Sequence, residues 1–241
     1  MDHEQDSAVT GRAGAATGRR LRALLNRDGG TARKLGVEAL RAQLQAGFER
    51  GGAVAELEFV PGAELGAMLE RARDDALAGR LDGVVIGGGD GSVNSAAGLL
   101  AGTGVPLGVL PVGTLNHFAR DLGMPLELED AAAMIATAPP RAVDVAEVNG
   151  RVFVNNAVLG VYPYMVADRE RRRDQHGLSK WPAMGLAFLR MLWRFPRRRL
   201  TLVIDGERRP ARTPALVVGV NAYDPQGFAV RRPALDRGEL F

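Results

Sequence analysis

Short apolar runs alternate with longer amphipathic ones through the first half of the chain. Residues 21–25 (LRALL) are a compact apolar run that gives way to Asn26-Arg27-Asp28-Gly29-Gly30-Thr31. That order predicts a strand running into a turn. Residues 33–50 combine good helix formers with apolar positions at Leu35, Ala39, Leu40, Leu44 and Phe48, which predicts one amphipathic helix stopped by Gly51-Gly52. Residues 53–60 carry Val54, Leu57 and Phe59 in strand fashion before Pro61-Gly62 breaks the run. A second helix is expected over 64–78, a short wholly apolar strand over 83–86, an alanine-rich helix over 92–100 and another apolar strand over 106–110.

Strands that alternate with helices imply crossover connections and a largely parallel sheet covered on both faces. In such sheets ligands sit at the carboxyl ends of the strands. The glycine-rich segments fall at those ends: Gly29-Gly30, residues 87–91, and residues 111–114. Beyond about residue 140 the pattern changes. Residues 143–148, 152–154, 200–204 and 215–220 are strand-like, and Asn149-Gly150 and Asp205-Gly206 suit hairpin turns. The expected organisation is a leader over 1–18, an α/β domain with a parallel sheet over 19–140, and a β-rich domain over 141–241. A basic, aromatic insertion interrupts the last of these at 168–199.

Composition narrows the options. Hydrophobic residues make up 46% and charged residues 24%, the balance of a globular protein. No window is apolar enough to span a bilayer. The first 18 residues lack the apolar stretch of a secretory signal and read as disordered. With no cysteine, disulfides and thiolate metal sites are excluded. Three histidines leave little for a histidine-based zinc site. The sequence pI of about 9.8 and the clustered arginines point to an anionic partner or to a solvated arginine-rich surface.

The most informative stretch is VVIGGGDGSVN, residues 84–94. Glycines after a buried strand let the backbone turn sharply and approach a ligand. Their amides, with the following helix N-terminus, favour phosphate oxygens. Asp90 would repel phosphate directly, so its carboxylate suits a metal on the phosphate or an attacking hydroxyl. The plainer alternative makes Asp90 a helix N-cap. Ser92 caps the helix or donates to phosphate. A second loop, with Gly113, Thr114 and Asn116, lies between strand and helix in the same way, and Thr114 there is a phosphate contact or a cap.

These segments together resemble the diacylglycerol kinase catalytic-domain family, which includes bacterial lipid kinases and sphingosine kinases. The family's GGDGT loop appears as Gly88-Gly89-Asp90-Gly91-Ser92. Its P-x-GTxNDFAR segment appears as PVGTLNHFAR, residues 111–120, and its early N-P-x-x-G loop as Asn26-Arg27-Asp28-Gly29-Gly30. Asp144 matches the aspartate that opens the family's second domain, and Phe153, Asn155 and Gly160 match its F-x-N-x-x-x-x-G run. The resemblance implies a nucleotide-binding α/β domain followed by a β-sandwich domain. It implies transfer of the γ-phosphate of ATP to a lipid hydroxyl, with Mg²⁺. Diacylglycerol, a sphingoid base and other polar lipids remain open as acceptors. By the same resemblance Asn26, Gly29, Gly30, Thr31, Gly88, Gly89, Gly91, Ser92, Gly113, Thr114 and Asn116 hold the nucleotide. Asp90 organises phosphates, metal and acceptor, Asp144 joins a water–Mg²⁺ network, and Asp236 is a further metal candidate.

Two departures stand out. His117 replaces the aspartate of the family's NDFAR, and the chain stops at ALDRGELF, residues 234–241, where the family continues. The family's general base lies in that continuation, so the chain is expected to be C-terminally incomplete and to turn over little by itself. The insertion carries Arg169, Arg190 and Arg199 around Trp181, Phe188 and Trp193. It is expected either to lie in an anionic membrane interface or to be a core helix with an arginine-rich end. Nucleic acid is not expected as a partner, because no recognition motif accompanies the arginines. The expected location is cytoplasmic, peripheral to the inner face of the cell membrane. The competing readings are a GGDG kinase of a soluble acceptor, such as an NAD kinase, and a non-catalytic nucleotide- or lipid-binding fragment.

Overall fold

The computed structural model describes residues 18–160, 198–226 and 229–240. The expected leader lies outside them up to residue 17, as does the basic insertion up to residue 197. The chain divides into two compact units between Arg141 and Ala142.

In the first unit β1 (Arg20–Asn26) is the central strand, flanked by β2 (Val54–Val60) and β3 (Gly83–Gly87), with β4 (Leu107–Leu110) beyond β3. All three pairings are parallel, and the order is β2-β1-β3-β4. A strand covered on both faces needs apolar residues at successive positions, and Ala23, Leu24 and Leu25 are all buried. Residues 83–87 are likewise buried throughout. One face is covered by α2 (Val37–Arg50) and α6 (Leu128–Thr137), which pack Leu40, Leu44, Phe48, Ala131 and Ala132 against Leu21, Ala23 and Val85. The other carries α3 (Leu65–Leu77) and α4 (Asp90–Leu100).

The helix expected over 33–50 is two helices. α1 (Gly30–Leu35) ends at Gly36, whose φ of 81° and ψ of 151° no ordinary helical residue adopts, and α2 starts after it. The alanine-rich α6 is an element the apolar pattern did not announce. It crosses α2 through small residues. A Cβ on Gly47 would lie 2.2 Å from the Glu129 carbonyl oxygen and one on Gly51 would lie 2.4 Å from the Ala136 Cβ. Arg50, in the last turn of α2, pairs with Glu129 (2.8 Å) and Asp130 (2.6 Å) in the first turn of α6. Both charges then sit at the helix end that favours them.

The second unit is antiparallel. It pairs β5 (Ala146–Val148) with β6 (Arg151–Phe153), β7 (Asn156–Gly160) with β10 (Ala215–Gly219), β8 (Arg198–Ile204) with β9 (Glu207–Thr213), and β11 (Asp224–Gln226) with β12 (Ala229–Arg231). The NG and DG turns behave as their sequence predicts. Asn149, Gly150, Asp205 and Gly206 all have positive φ, the geometry a two-residue hairpin turn requires.

Candidate functional site

The strand order places a topological switch between β1 and β3. From β1 the chain crosses to β2 on one side, then returns over β1 to β3 on the other. Crevices at such points, beyond the carboxyl ends of the strands, are where ligands bind in open parallel sheets. The three glycine loops leave β1, β3 and β4 at this end, and they touch one another. A Cβ on Gly88 would lie 3.7 Å from the Asn26 Cβ, and one on Gly30 would lie 3.6 Å from the Thr114 Oγ1. A Cβ on Gly113 would lie 2.7 Å from the Gly89 Cα and 3.0 Å from the Gly88 carbonyl oxygen. Glycine at 113 is therefore a packing requirement, since the backbones of the second and third loops meet there.

The first loop is an Asx turn. The Asp28 amide donates to the Asn26 Oδ1 (3.0 Å) and the Gly29 amide to the Asn26 carbonyl oxygen (3.0 Å). Asp28 in turn accepts from the Gly62 amide (3.0 Å), which fastens the loop to the end of β2. Gly30 and Thr31 then open α1. Arg27, Arg33 and Lys34 are exposed on this segment.

At the second loop Gly89 takes the N-cap position of α4, with extended backbone, and Asp90 is the first helical residue. The helix therefore starts two residues before the expected 92. The cap position thus falls on the glycine before Asp90. Asp90 is half-buried at the helix N-terminus, with Gly91 and Ser92 following in the first turn. A Cβ on Gly89 or Gly91 would meet nothing within 4 Å. The loop is thus crowded at Gly88, where Ser92 Oγ lies 2.4 Å from the Cβ position, and open at Gly89 and Gly91.

The third loop is held by Asn116. Its Oδ1 accepts from the Gly113 amide (2.8 Å), and its Nδ2 donates to the Pro111 carbonyl oxygen (3.0 Å). Asn116 has φ 53° and ψ 40°, the left-handed conformation that asparagine tolerates better than most residues. Its side-chain amide is engaged within its own loop, so Asn116 shapes the site through the backbone it holds. Thr114 and Leu115 are exposed between these anchors, and His117 is exposed as the first residue of α5 (His117–Asp121).

The ionic contacts with the clearest effect on titration lie elsewhere in the first unit. Asp82, just before β3, is hydrogen-bonded by the Arg20 amide and guanidinium, which hold its carboxyl below the ordinary value of 3.8. Asp75 in α3 is held low first by Arg80 and then by Arg22. Arg20 and Asp82 mark the amino ends of the strands, opposite the glycine loops, so these pairs are structural.

The remaining expected residues belong to the second unit. The Asp144 Oδ2 accepts from the Gly238 amide (2.6 Å), and the Asp144 amide donates to the Leu235 carbonyl oxygen (2.6 Å). Asp144 is thus fastened across the turn that contains exposed Asp236. Behind this turn lies a polar hub the sequence did not flag. Buried Arg232 donates to the Asn155 Oδ1 (2.8 Å) and the Val220 carbonyl oxygen (3.2 Å), and Tyr223 donates to the Asn155 carbonyl oxygen (2.8 Å). Asn221, also buried, accepts from the Arg237 amide (3.2 Å). One arginine among many carries no sequence signal of burial; Asn155 was the only hub residue marked.

Residues 20–148 match the diacylglycerol kinase catalytic domain family. A probable YegS-like lipid kinase of Pseudomonas syringae is 44% identical over 93 residues, 38% of this chain and 30% of that protein. A diacylglycerol kinase of Mycobacterium tuberculosis is 37% identical over 138 residues, 54% of this chain and 43% of that protein. Both alignments thus span less than half of the relative's own length. Among solved structures, a putative diacylglycerol kinase from Bacillus anthracis superposes with a TM-score of 0.63 over 87% of this chain and 67% of its own, at 19% identity. At that identity the likeness speaks to fold alone.

Proposed function

Because the chain belongs to the diacylglycerol kinase catalytic-domain family, we propose that it serves an ATP-dependent lipid kinase that transfers the γ-phosphate to a lipid hydroxyl, with diacylglycerol the first candidate acceptor. The observation that carries the reading is the meeting of three glycine loops at the switch point of the parallel sheet, two of them in backbone contact. Phosphoryl transfer asks the protein for positioning and charge neutralisation more than for covalent chemistry, and this end of the sheet supplies the first.

In this reading the amides of Gly30, of Gly88, Gly89 and Gly91, and of Thr114 face the nucleotide phosphates, with the hydroxyls of Thr31, Ser92 and Thr114, while the amides of Gly29 and Gly113, bonded within their own loops, hold the backbone in shape. The unfilled space at Gly89 and Gly91 is what a phosphate approaching the backbone needs. Asn116 keeps the third loop in shape. Asp90, at the mouth of the same loop, orients the acceptor hydroxyl, and its negative charge suits a metal-bound phosphate. Mg²⁺ is usually held by one or two carboxylates together with substrate phosphates, a chemistry that Asp90 in the first unit offers by itself and that Asp144 or Asp236 offers in the second. When bound, the ion supplies charge neutralisation at the phosphates. Membrane association follows from the acceptor, which resides in a bilayer.

Titration calorimetry with Mg-ATP tests the nucleotide half of the proposal, and transfer from γ-labelled ATP onto a lipid extract or onto NAD tests the acceptor. The expected result is saturable Mg-ATP binding that Asp90→Ala weakens, and label in lipid rather than in NAD, however slow the transfer. Label in NAD alone would overturn the lipid assignment.

A further inference from the structure

We propose that the outer face of the β8–β9 hairpin is a docking surface for an anionic lipid bilayer. The register of this hairpin sets Arg199 opposite Arg212, Thr201 opposite Pro210 and Val203 opposite Arg208. Directly opposed residues share a face, as do residues two apart along a strand. These six therefore form one face, and all six are exposed. The other face carries Leu200, Leu202 and Ala211, which are half-buried, and exposed Arg209. The hairpin thus has one side with a half-buried apolar centre and one side exposed at every position.

The exposed side is chemically one-sided. Its charges are three guanidinium groups, and no carboxylate shares the face. Glu207 belongs to the other face, where it pairs with Arg209 (2.9 Å). Asp205 sits in the turn beyond the arginines, with φ 51°. Like charges set directly opposite one another across a ladder are destabilising, and the Arg199–Arg212 pair bears that cost. An external anionic surface offsets it. Beside the arginines, Val203 is 64% exposed near the end of β8. Guanidinium groups at phosphate level with an exposed β-branched side chain near the tip match a bilayer interface. A single-stranded polynucleotide would ask for stacking aromatics, and this face has none. The choice of bilayer also rests on the lipid-kinase reading above, whose acceptor lives there.

Sedimentation with vesicles tests the surface, using phosphatidylcholine alone or mixed with phosphatidylglycerol. The protein is expected to follow the anionic vesicles and not the neutral ones, with retention falling as salt rises. Each arginine near an anionic surface contributes about fivefold, so R208Q lowers the partition coefficient about fivefold and R199Q/R208Q/R212Q roughly 100-fold. R209Q, one residue away on the other face, stays within about twofold. Thermal melting of each variant checks that it is folded. Equal retention on neutral vesicles overturns the proposal, as does an R209Q loss matching that of R208Q. So does a triple variant that keeps vesicle binding but loses a duplex oligonucleotide, which would make the face a nucleic-acid surface. Mg-ATP calorimetry on the same samples separates the two readings. Failure there removes the kinase assignment, while R208Q-sensitive vesicle binding would still support the face.

Discussion

A methyl group at Gly113 is the smallest change that forces two of the glycine loops apart. It would sit 2.7 Å from the Gly89 Cα and 2.7 Å from the Asn116 Oδ1. Carbon–carbon contact needs about 3.5 Å, so the loops must separate by about 0.8 Å. The same movement strains the 2.8 Å bond from the Gly113 amide to Asn116. Overpacking of this kind costs about 1–3 kcal/mol of stability. In the nucleotide site it removes an amide bond to phosphate, worth about 1.5–3 kcal/mol, or roughly 10- to 100-fold in Kd. Gly113→Ala is therefore expected to weaken Mg-ATP binding by that factor in calorimetry. Gly89→Ala tests the same geometry from the other side. Its φ of −78° and ψ of 179° suit any residue, and its methyl meets no protein atom within 4 Å. Alanine is a poorer N-cap than glycine, so it should cost about 1 kcal/mol in urea denaturation yet weaken Mg-ATP by a similar factor to Gly113→Ala, because the space it fills is the space assigned to phosphate. Gly66→Ala, exposed in α3 and equally unobstructed, should alter neither property by more than about 1 kcal/mol. If Gly113→Ala and Gly89→Ala both bind Mg-ATP within twofold of the parent protein, the loops do not hold the phosphates and the reasoning fails.

Three further outcomes are expected. Gly47→Ala drives a methyl to 2.2 Å from the Glu129 carbonyl oxygen and 2.7 Å from the Ala132 Cβ, so urea denaturation should show a loss of about 1–3 kcal/mol. Asp75 is held below its ordinary carboxylate value in the folded protein, first by Arg80 and then by Arg22. Its contribution is thus complete above the unfolded aspartate pKa of about 3.9 and is lost as pH falls through the folded value. Asp75→Asn should lower the thermal midpoint at neutral pH, and the gap to the parent should narrow on acidification. Asp144→Ala removes the acceptor of the Gly238 amide, so hydrogen exchange at that amide should quicken about 10-fold or more, whereas Asp236→Ala should leave it within about twofold.

Much of this was legible before any coordinates. The buried strands at 21–25 and 83–86 announce themselves because central parallel strands are apolar at every position, and the glycine loops follow them directly. Family membership was legible from the same loops. The misreadings have physical causes. Residues 33–50 keep a helical period across Gly36, and periodicity alone does not see a positive φ. The run LEDAAAMIAT of α6 is built from small residues, chosen for close approach to Gly47 and Gly51 and therefore weak as an amphipathic signal. Strand β9, ERRPART, has no apolar run to announce it; its strand state is imposed by pairing with β8 around the Asp205-Gly206 turn. In the site, the residue types were legible and the division of labour was not. Nothing in GTLN tells whether the asparagine faces a ligand or its own loop, because that depends on a left-handed backbone angle.

That angle has a consequence for how the third loop can change over time. With Asn116 bonded to both Gly113 and Pro111, the loop has given up its conformational entropy on folding, and a ligand arriving there pays little to order it. Shape and chemistry are thereby uncoupled. Leu115, 59% exposed at the crest of the loop, is free to be replaced by polar, aromatic or charged residues without disturbing the frame. Selection can try new surfaces at position 115 while the fold beneath it stays fixed.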